Sequence, residues 1–344
     1  MKRKNLFVAF LVVFTVMLSS FAFYTWQILF TPNILIERPD QVFTIPKGAT
    51  FKDVQKKLYD AYIVNDMVSF SFLAKLKDYD ELVKPGLYTL RRDMTNLEAI
   101  NLLRSGQQTP VMLTYTPVRK LEELPEKIAA TMGFSQQEFE SVLLHDTTAG
   151  HYGFDSATFI SMFIPNTYEL YWTATPKQVL DRMKKEYDRF WTQTRESKAQ
   201  KLGLSKPEVS TLASIVEAET KKMDEAPRVA GVYINRLKRD YKLQADPTLV
   251  YAVGDFSIRR VLNVHKEVDS PYNTYKYEGL PPGPINMPSI GAIDAVLNYE
   301  DHNYLYFCAR ADFSGYHAFA RTLVEHNKNA RAFQRALNRE QIFK

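Results

Sequence analysis

Residues 212–220 read Leu-Ala-Ser-Ile-Val-Glu-Ala-Glu-Thr and follow Ser210 and Thr211, either of which can cap a helix. At about 100° per residue, Leu212, Ile215, Val216 and Glu219 fall at i, i+3, i+4 and i+7, one stripe of that helix. Glu219 therefore ends an apolar face. Glu217, about 200° away, should point to solvent or to a polar neighbour, so the two carboxylates are not a pair. A carboxyl on a buried face loses solvation, which disfavours its charged form and raises its pKa. Such a group keeps a proton near neutral pH and can donate it, as glycosidase acids do to a departing glycosidic oxygen. The plain alternative is that Glu219 bonds a backbone amide or an arginine such as Arg228 or Arg236.

Downstream, three segments carry polar groups on proline-restricted backbone: Leu243-Gln244-Ala245-Asp246-Pro247-Thr248, Asp269-Ser270-Pro271-Tyr272-Asn273-Thr274-Tyr275 and Gly279-Leu280-Pro281-Pro282-Gly283-Pro284-Ile285. Each alone is a turn. Together they supply amide, hydroxyl, carboxylate and aromatic groups, the mixture a polysaccharide groove needs. The whole stretch 246–288 reads as a long loop region, uncommon inside a compact domain and often functional. Upstream, Phe163-Ile164-Pro165-Asn166-Thr167-Tyr168-Glu169-Leu170-Tyr171-Trp172 clusters aromatics with amide and hydroxyl groups, which suits either a carbohydrate platform or core packing.

Other chemistries lack their residues. There is no G-x-S-x-G elbow, no phosphate loop ending in G-K-[ST] and no H-E-x-x-H. His145, His151, His265, His302, His317 and His326 form no metal pair on one helix turn, and Cys308 is the sole cysteine. Neither metal nor cofactor is expected. The formal net charge is +5, but Lys2, Arg3 and Lys4 supply much of it, and elsewhere basic and acidic residues are interspersed. No concentrated basic face for nucleic acid is apparent.

Working back to the amino terminus, Leu6 to Phe30 runs without a charged side chain, long enough to cross a bilayer. The basic cluster before it favours a cytoplasmic start, with the remainder outside. A cleaved signal peptide competes, with Ser20-Phe21-Ala22 as a passable site. The apolar run continues past that site through Tyr24, Trp26 and Phe30, which fits an uncleaved anchor better. A polar linker, 32–40, should follow. Residues 41–107 then read as strand, helix, helix, strand, helix: Val42–Ile45, a helix capped by Thr50, a second strand after Lys84-Pro85-Gly86, and a helix capped by Thr95 and ended by Gly106. Residues 108–205 are mixed, and 206–344 hold the segments with chemistry. The expected fold class is α+β, with short sheets rather than a repeated parallel βαβ pattern.

LASIVEAET, VAGVYINRL, LQADPTLVY, SPYNTY, GLPPGPI, LYFCA, His317 and HNKN occur in the same order in the endolytic murein transglycosylases of the YceG-like family, also called MltG, and the sequence resembles that family. FIPNTYELY is similar to the family's F-P-D-T-Y segment, with Asn166 in place of the aspartate. The resemblance implies a short cytoplasmic tail (1–5), one membrane helix (6–30), a LysM-like subdomain (41–107), an intermediate part (108–205) and a catalytic domain (206–344). It implies a single-pass protein of the bacterial cytoplasmic membrane with its catalytic domain outside. Its activity would be non-hydrolytic cleavage of the MurNAc-β-1,4-GlcNAc bond within nascent strands, leaving 1,6-anhydro ends. The family's catalytic glutamate, the second acid of E-x-E-T, falls on Glu219. Gln244, Asp246, Tyr272, Asn273 and Tyr275 are the candidates for orienting sugar and peptide. Partners would be peptidoglycan strands and penicillin-binding proteins. Two alternatives stay open: a muramidase using Asp246 or Asp269 as a second carboxylate, and a non-enzymatic peptidoglycan-binding scaffold.

Overall fold

The computed structural model describes residues 2–258 and 260–340. Met1 of the expected tail and residues 341–344 of the expected catalytic domain lie outside the described residues. The fold is α+β, with three two-stranded sheets among the many helices of the described residues.

The chain begins with one helix, Lys2–Phe30 (α1), of which Lys4–Phe30 is apolar and long enough to cross a membrane. Then come Asp40–Ile45 (β1), Phe51–Asp60 (α2), Met67–Leu76 (α3), Gly86–Arg91 (β2) and Asn96–Ser105 (α4). Two capping boxes set the starts of α2 and α4, Thr50 with Asp53 and Thr95 with Glu98. β1 pairs antiparallel with β2, Phe43 opposite Tyr88, and alternate residues Phe43, Ile45, Tyr88 and Leu90 point into the core. The segment after α1 is not a free linker. Ile34 and Ile36 are buried with Leu58, Phe70 and Leu103, and Asn33 bonds Asn96 and Asp66. Its polar composition conceals two isoleucines that have no other place to go.

Further along lie Val111–Thr114 (β3), Leu124–Ala129 (α5), Gln136–Leu143 (α6), Thr148–His151 (α7), Thr167–Leu170 (β4), Pro176–Phe190 (α8), Gln193–Leu202 (α9), Lys206–Glu219 (α10) and Ala226–Leu237 (α11). Asp246–Val253 (α12), Asn263–Lys266 (α13), Ile290–Leu297 (α14), Tyr306–Ala309 (β5), His317–Ala320 (β6) and Leu323–Arg339 (α15) complete the order. The stretch 246–288 thus carries two helices of its own, since Pro247 is tolerated in a first turn. The chain divides into two compact units, one of 1–113, 131–134 and 169–174, the other of 114–130, 135–168 and 175–344.

In the second unit α10 is the central helix, packed on α14, α11 and α12. Its cap is Ser205, in a box with Glu208, and Ser210 and Thr211 lie inside the helix, buried. Thr211 and Ser214 satisfy their hydroxyls by donating to the carbonyls of Pro207 and Thr211. Every residue from Val209 to Val216 is buried, so the helix is enclosed on all sides. The aromatic segment near Asn166 is largely core. Phe163, Ile164 and Tyr168 are buried, Tyr168 stacks on Tyr115, and Asn166 accepts from the neighbouring Thr167 N–H.

Gly231 sets how closely α11 meets the segment before β5. A Cβ there would stand 2.5 Å from the Glu300 carbonyl and 2.7 Å from His302 Nε2. Gly→Ala inside a helix ordinarily stabilises by about 0.5–1 kcal/mol. Here the clash should reverse the sign, so Gly231→Ala is expected to lower the thermal midpoint in a melt followed by circular dichroism.

Candidate functional site

Glu219 is the last residue of α10, and Thr220 leaves the helix in extended conformation. Its carboxyl accepts a 2.8 Å hydrogen bond from the Tyr233 hydroxyl on α11. Part of the residue faces open space, while the carboxyl itself is enclosed. Burial pushes its pKa up to about 7; the Tyr233 bond and the Arg236 charge oppose this, and the Asp246 charge adds to it. The helix end, where carbonyl dipoles converge, acts in the same direction as burial. Glu217 has a different partner, accepting from the Ser289 N–H at the start of α14, although it too lines the larger groove beside Glu219.

Two cavities meet at Glu219 and Asp246. One is a groove of about 1180 Å³ whose wall includes Arg119, Glu123, Tyr251, Phe256 and Ile285. The other, about 350 Å³, is lined by Tyr233, Arg236, Gln244, Tyr275, Phe307 and His317 among others. A chain-like ligand lying through both would pass the carboxyl. Asp246 begins α12 and accepts from the Tyr275 hydroxyl.

The walls are held by bonds to α10 and to each other. Ser214 Oγ accepts from the Ile285 N–H, and its carbonyl from the Asn286 amide, which fastens the GLPPGPI segment to the helix carrying Glu219. Gly283 is required there because a Cβ would meet the Ala157 carbonyl at 2.1 Å. Thr274 Oγ1 accepts from the Ala245 N–H and lies 2.8 Å from Thr248 Oγ1, which knits LQADPT to SPYNTY. Gln244 adopts a left-handed φ of 50°, rare for a residue with a side chain and frequent where a site holds its backbone under constraint.

Of the residues picked from sequence, Glu219, Gln244, Asp246 and Tyr275 share one cavity. Tyr272 lies in another of about 640 Å³ and packs on Tyr251, a residue common to that cavity and the groove. Asn273 is fully buried, and its amide donates to the carbonyls of Lys266 and Val268, so it shapes the loop from within. Asp269 is exposed and bonded to Lys276 and Tyr277, and it lines neither cavity that meets Glu219. The sequence offers Arg236 only as a possible bonding partner of Glu219, and Tyr233 and His317 only inside motifs without a role of their own. Arg236 is buried and donates to the Leu305 and Leu243 carbonyls. His317 pairs at 2.6 Å with the buried Glu225, and Phe307 stands edge-on between its ring and that of Tyr233. Among the described residues, no group of three His, Cys, Asp or Glu could hold a metal ion.

The YceG-like family model matches residues 43–332. The chain belongs to the YceG-like family. It is 28% identical over 368 residues to an endolytic murein transglycosylase of Streptococcus pneumoniae (strain ATCC BAA-255 / R6), covering 94% of this chain but 64% of that protein, so it spans under two thirds of that relative's length. An endolytic murein transglycosylase of Bacillus subtilis (strain 168) is 28% identical over 299 residues, 83% of this chain and 82% of its own. The crystal structure of a putative yceG-like protein from Listeria monocytogenes matches with a TM-score of 0.54 and 28% identity, over 84% of this chain and 98% of that one.

The raised pKa has a consequence for stability. The folded value of about 7 exceeds the ordinary 4.5, so Glu219 favours folding only while protonated. Its cost appears as pH rises above 4.5 and is complete above 7. Glu219→Gln should therefore melt several degrees higher than wild type at pH 8, by up to about 3 kcal/mol, with the difference vanishing at pH 4.

Proposed function

We propose that this protein is an endolytic lytic transglycosylase of peptidoglycan, and that Glu219 is its general acid and base. The observation that carries the reading is one enclosed carboxyl, with a pKa of about 7, where two cavities meet. The similarity to endolytic murein transglycosylases supports the substrate class. Protonated Glu219 gives its proton to the oxygen between N-acetylmuramic acid and N-acetylglucosamine as that bond breaks. The resulting carboxylate takes the proton of the muramic C6 hydroxyl, whose oxygen closes on the anomeric carbon. The product end is 1,6-anhydro, and no water is consumed. Tyr233 sets the carboxyl's orientation. Gln244, Asp246 and Tyr275 orient sugar or peptide groups beside it, and Tyr272 extends the contact beyond Tyr251. Asn273 keeps the loop in shape.

In this reading α1 is a single-pass anchor in the cytoplasmic membrane, 41–107 is a LysM-like glycan-binding module and 206–344 the catalytic domain. Glycan-synthesising penicillin-binding proteins are the partners that cutting nascent strands would require. A hydrolytic second reading has one observation in its favour. Asp246 lies near enough for its charge to act on Glu219, as a water-activating carboxylate would.

Two experiments test this. Uncrosslinked glycan strands digested with wild type should yield internal fragments with anhydro ends, and Glu219→Gln should lower the rate at least ~100-fold. Products heavier by one water would mean hydrolysis, and undiminished cleavage by the variant would remove Glu219 from the role. The second is the pH profile of kcat/KM. The rate should fall as pH rises through about 7, where Glu219 loses its proton. Tyr233→Phe removes a donor that favours the carboxylate, so the alkaline limb should move to higher pH.

A further inference from the structure

The end of α1 is fixed to the module that follows it. Ile28 is buried in that module's core, and its carbonyl accepts from Asn96 Nδ2, which also donates to Ser69 Oγ on α3. The chain then enters the core directly: Asn33 and Ile34 donate to the Met94 carbonyl, and Ile34 is fully buried. Asn96 thus ties the last turn of α1 to α3 directly. The apolar run of 27 residues from Lys4 to Phe30 is about 40 Å long, as against about 30 Å of hydrocarbon and 40–45 Å with both headgroup layers. If α1 crosses the bilayer, its docked last turn lies at headgroup depth, and α3 with it.

α3 presents an unpartnered apolar stripe. Val68, Phe72 and Leu76, at i, i+4 and i+8, are 74%, 59% and 67% exposed. The opposite side, Phe70, Leu73 and Ala74, is fully buried. At about 100° per residue the exposed stripe borders Ser69, the α3 residue bonded through Asn96 to the end of α1. On that end of α1, Trp26 and Phe30 are themselves more than half exposed. They lie on the side of α1 turned away from Ile28, and α1 also touches α3 itself, so the exposed surface of α1 and the stripe of α3 belong to neighbouring helices. Charge selects no particular headgroup, because Lys75 and Lys77 are followed at once by Asp78, Asp80 and Glu81.

We infer that α3 lies on the outer surface of the bilayer that α1 crosses, with Val68, Phe72 and Leu76 seated at the boundary of headgroups and acyl chains. An apolar helix face held at that depth is the arrangement by which interfacial helices bind a membrane. The module is then fastened to the bilayer at two places, and its height above the membrane is set. The inference rests on α1 being an anchor and not a cleaved leader.

The test uses the full chain in vesicles of phosphatidylethanolamine and phosphatidylglycerol, with Cys308→Ser as background and single nitroxide labels at Val13→Cys, Lys52→Cys and Phe72→Cys. Collision rates with oxygen, which concentrates in the bilayer, and with a water-soluble nickel chelate give the depth of each label. The label at 72 should have a several-fold higher oxygen-to-nickel ratio than the label at 52, and a lower one than that at 13. A second label at Leu76→Cys should repeat the result at 72. Nickel access at 72 equal to that at 52 overturns the inference while leaving the anchor intact. Shielding of 72 from both reagents overturns it in favour of a protein partner or a second copy. A water-exposed label at 13 removes the anchor itself, and the inference with it.

Discussion

The burial of one carboxyl at the end of α10 is the constraint around which the second unit is arranged. A carboxylate without solvent is costly unless it is paired or protonated. Glu219 has a hydroxyl donor in Tyr233, an arginine whose five N–H groups are turned partly to the Leu305 and Leu243 carbonyls, and a second acid nearby. None is an ion pair, so the proton stays on to about neutral pH. The same helix that buries the group also secures the walls around it, through Ser214 to the GLPPGPI segment and through Glu217 to α14. A shift of α10 would move acid and groove together, which keeps their spacing constant.

What could be read locally was legible, and what depends on chain crossings was not. Helical rotation alone separated Glu217 from Glu219 and sent them to different neighbours. The capping boxes at Thr50 and Thr95 are short-range patterns and survive folding unchanged. Ser205-Lys206-Pro207-Glu208 is a pattern of the same kind, but Ser210 and Thr211 are equally plausible caps by residue type alone. Both lie inside the buried helix, where the Thr211 hydroxyl bonds the preceding turn instead. Tyr233 needed knowledge of how α11 crosses α10, and His317 of how β6 returns beside Glu225, 92 positions earlier in the chain. No periodicity carries such information. The signal for Tyr233 was present in part: Val229, Tyr233 and Arg236 recur at helical spacing, which marks a buried face but not what it faces.

The polar groups around Glu219 also differ in how freely they could meet a ligand. Asn273 spends its amide on two carbonyls, and Thr248 and Thr274 bond each other. Gln244, by contrast, has its backbone fixed by the Thr274 carbonyl and a side chain lining the cavity beside Tyr275. The division follows from burial. Groups that would be orphaned inside must pair within the protein, which makes the loop rigid, and those at the cavity wall retain capacity for a ligand.

A single group that must first give and then take a proton works best when neither form is much favoured, which places its ideal pKa near the working pH. Burial by itself would overshoot this, holding the proton too tightly for the carboxylate to form. The Tyr233 hydroxyl and the Arg236 charge act against it, and Asp246 acts with it. The value near 7 is thus the balance of opposing contributions rather than the product of one. This also explains how a site can do without a second dedicated base. In the proposed ring closure the nucleophile is the sugar's own hydroxyl, held beside the anomeric carbon by the substrate's covalent frame. The protein need only keep the carboxyl between the leaving oxygen and that hydroxyl, and the walls fastened to α10 supply that rigidity.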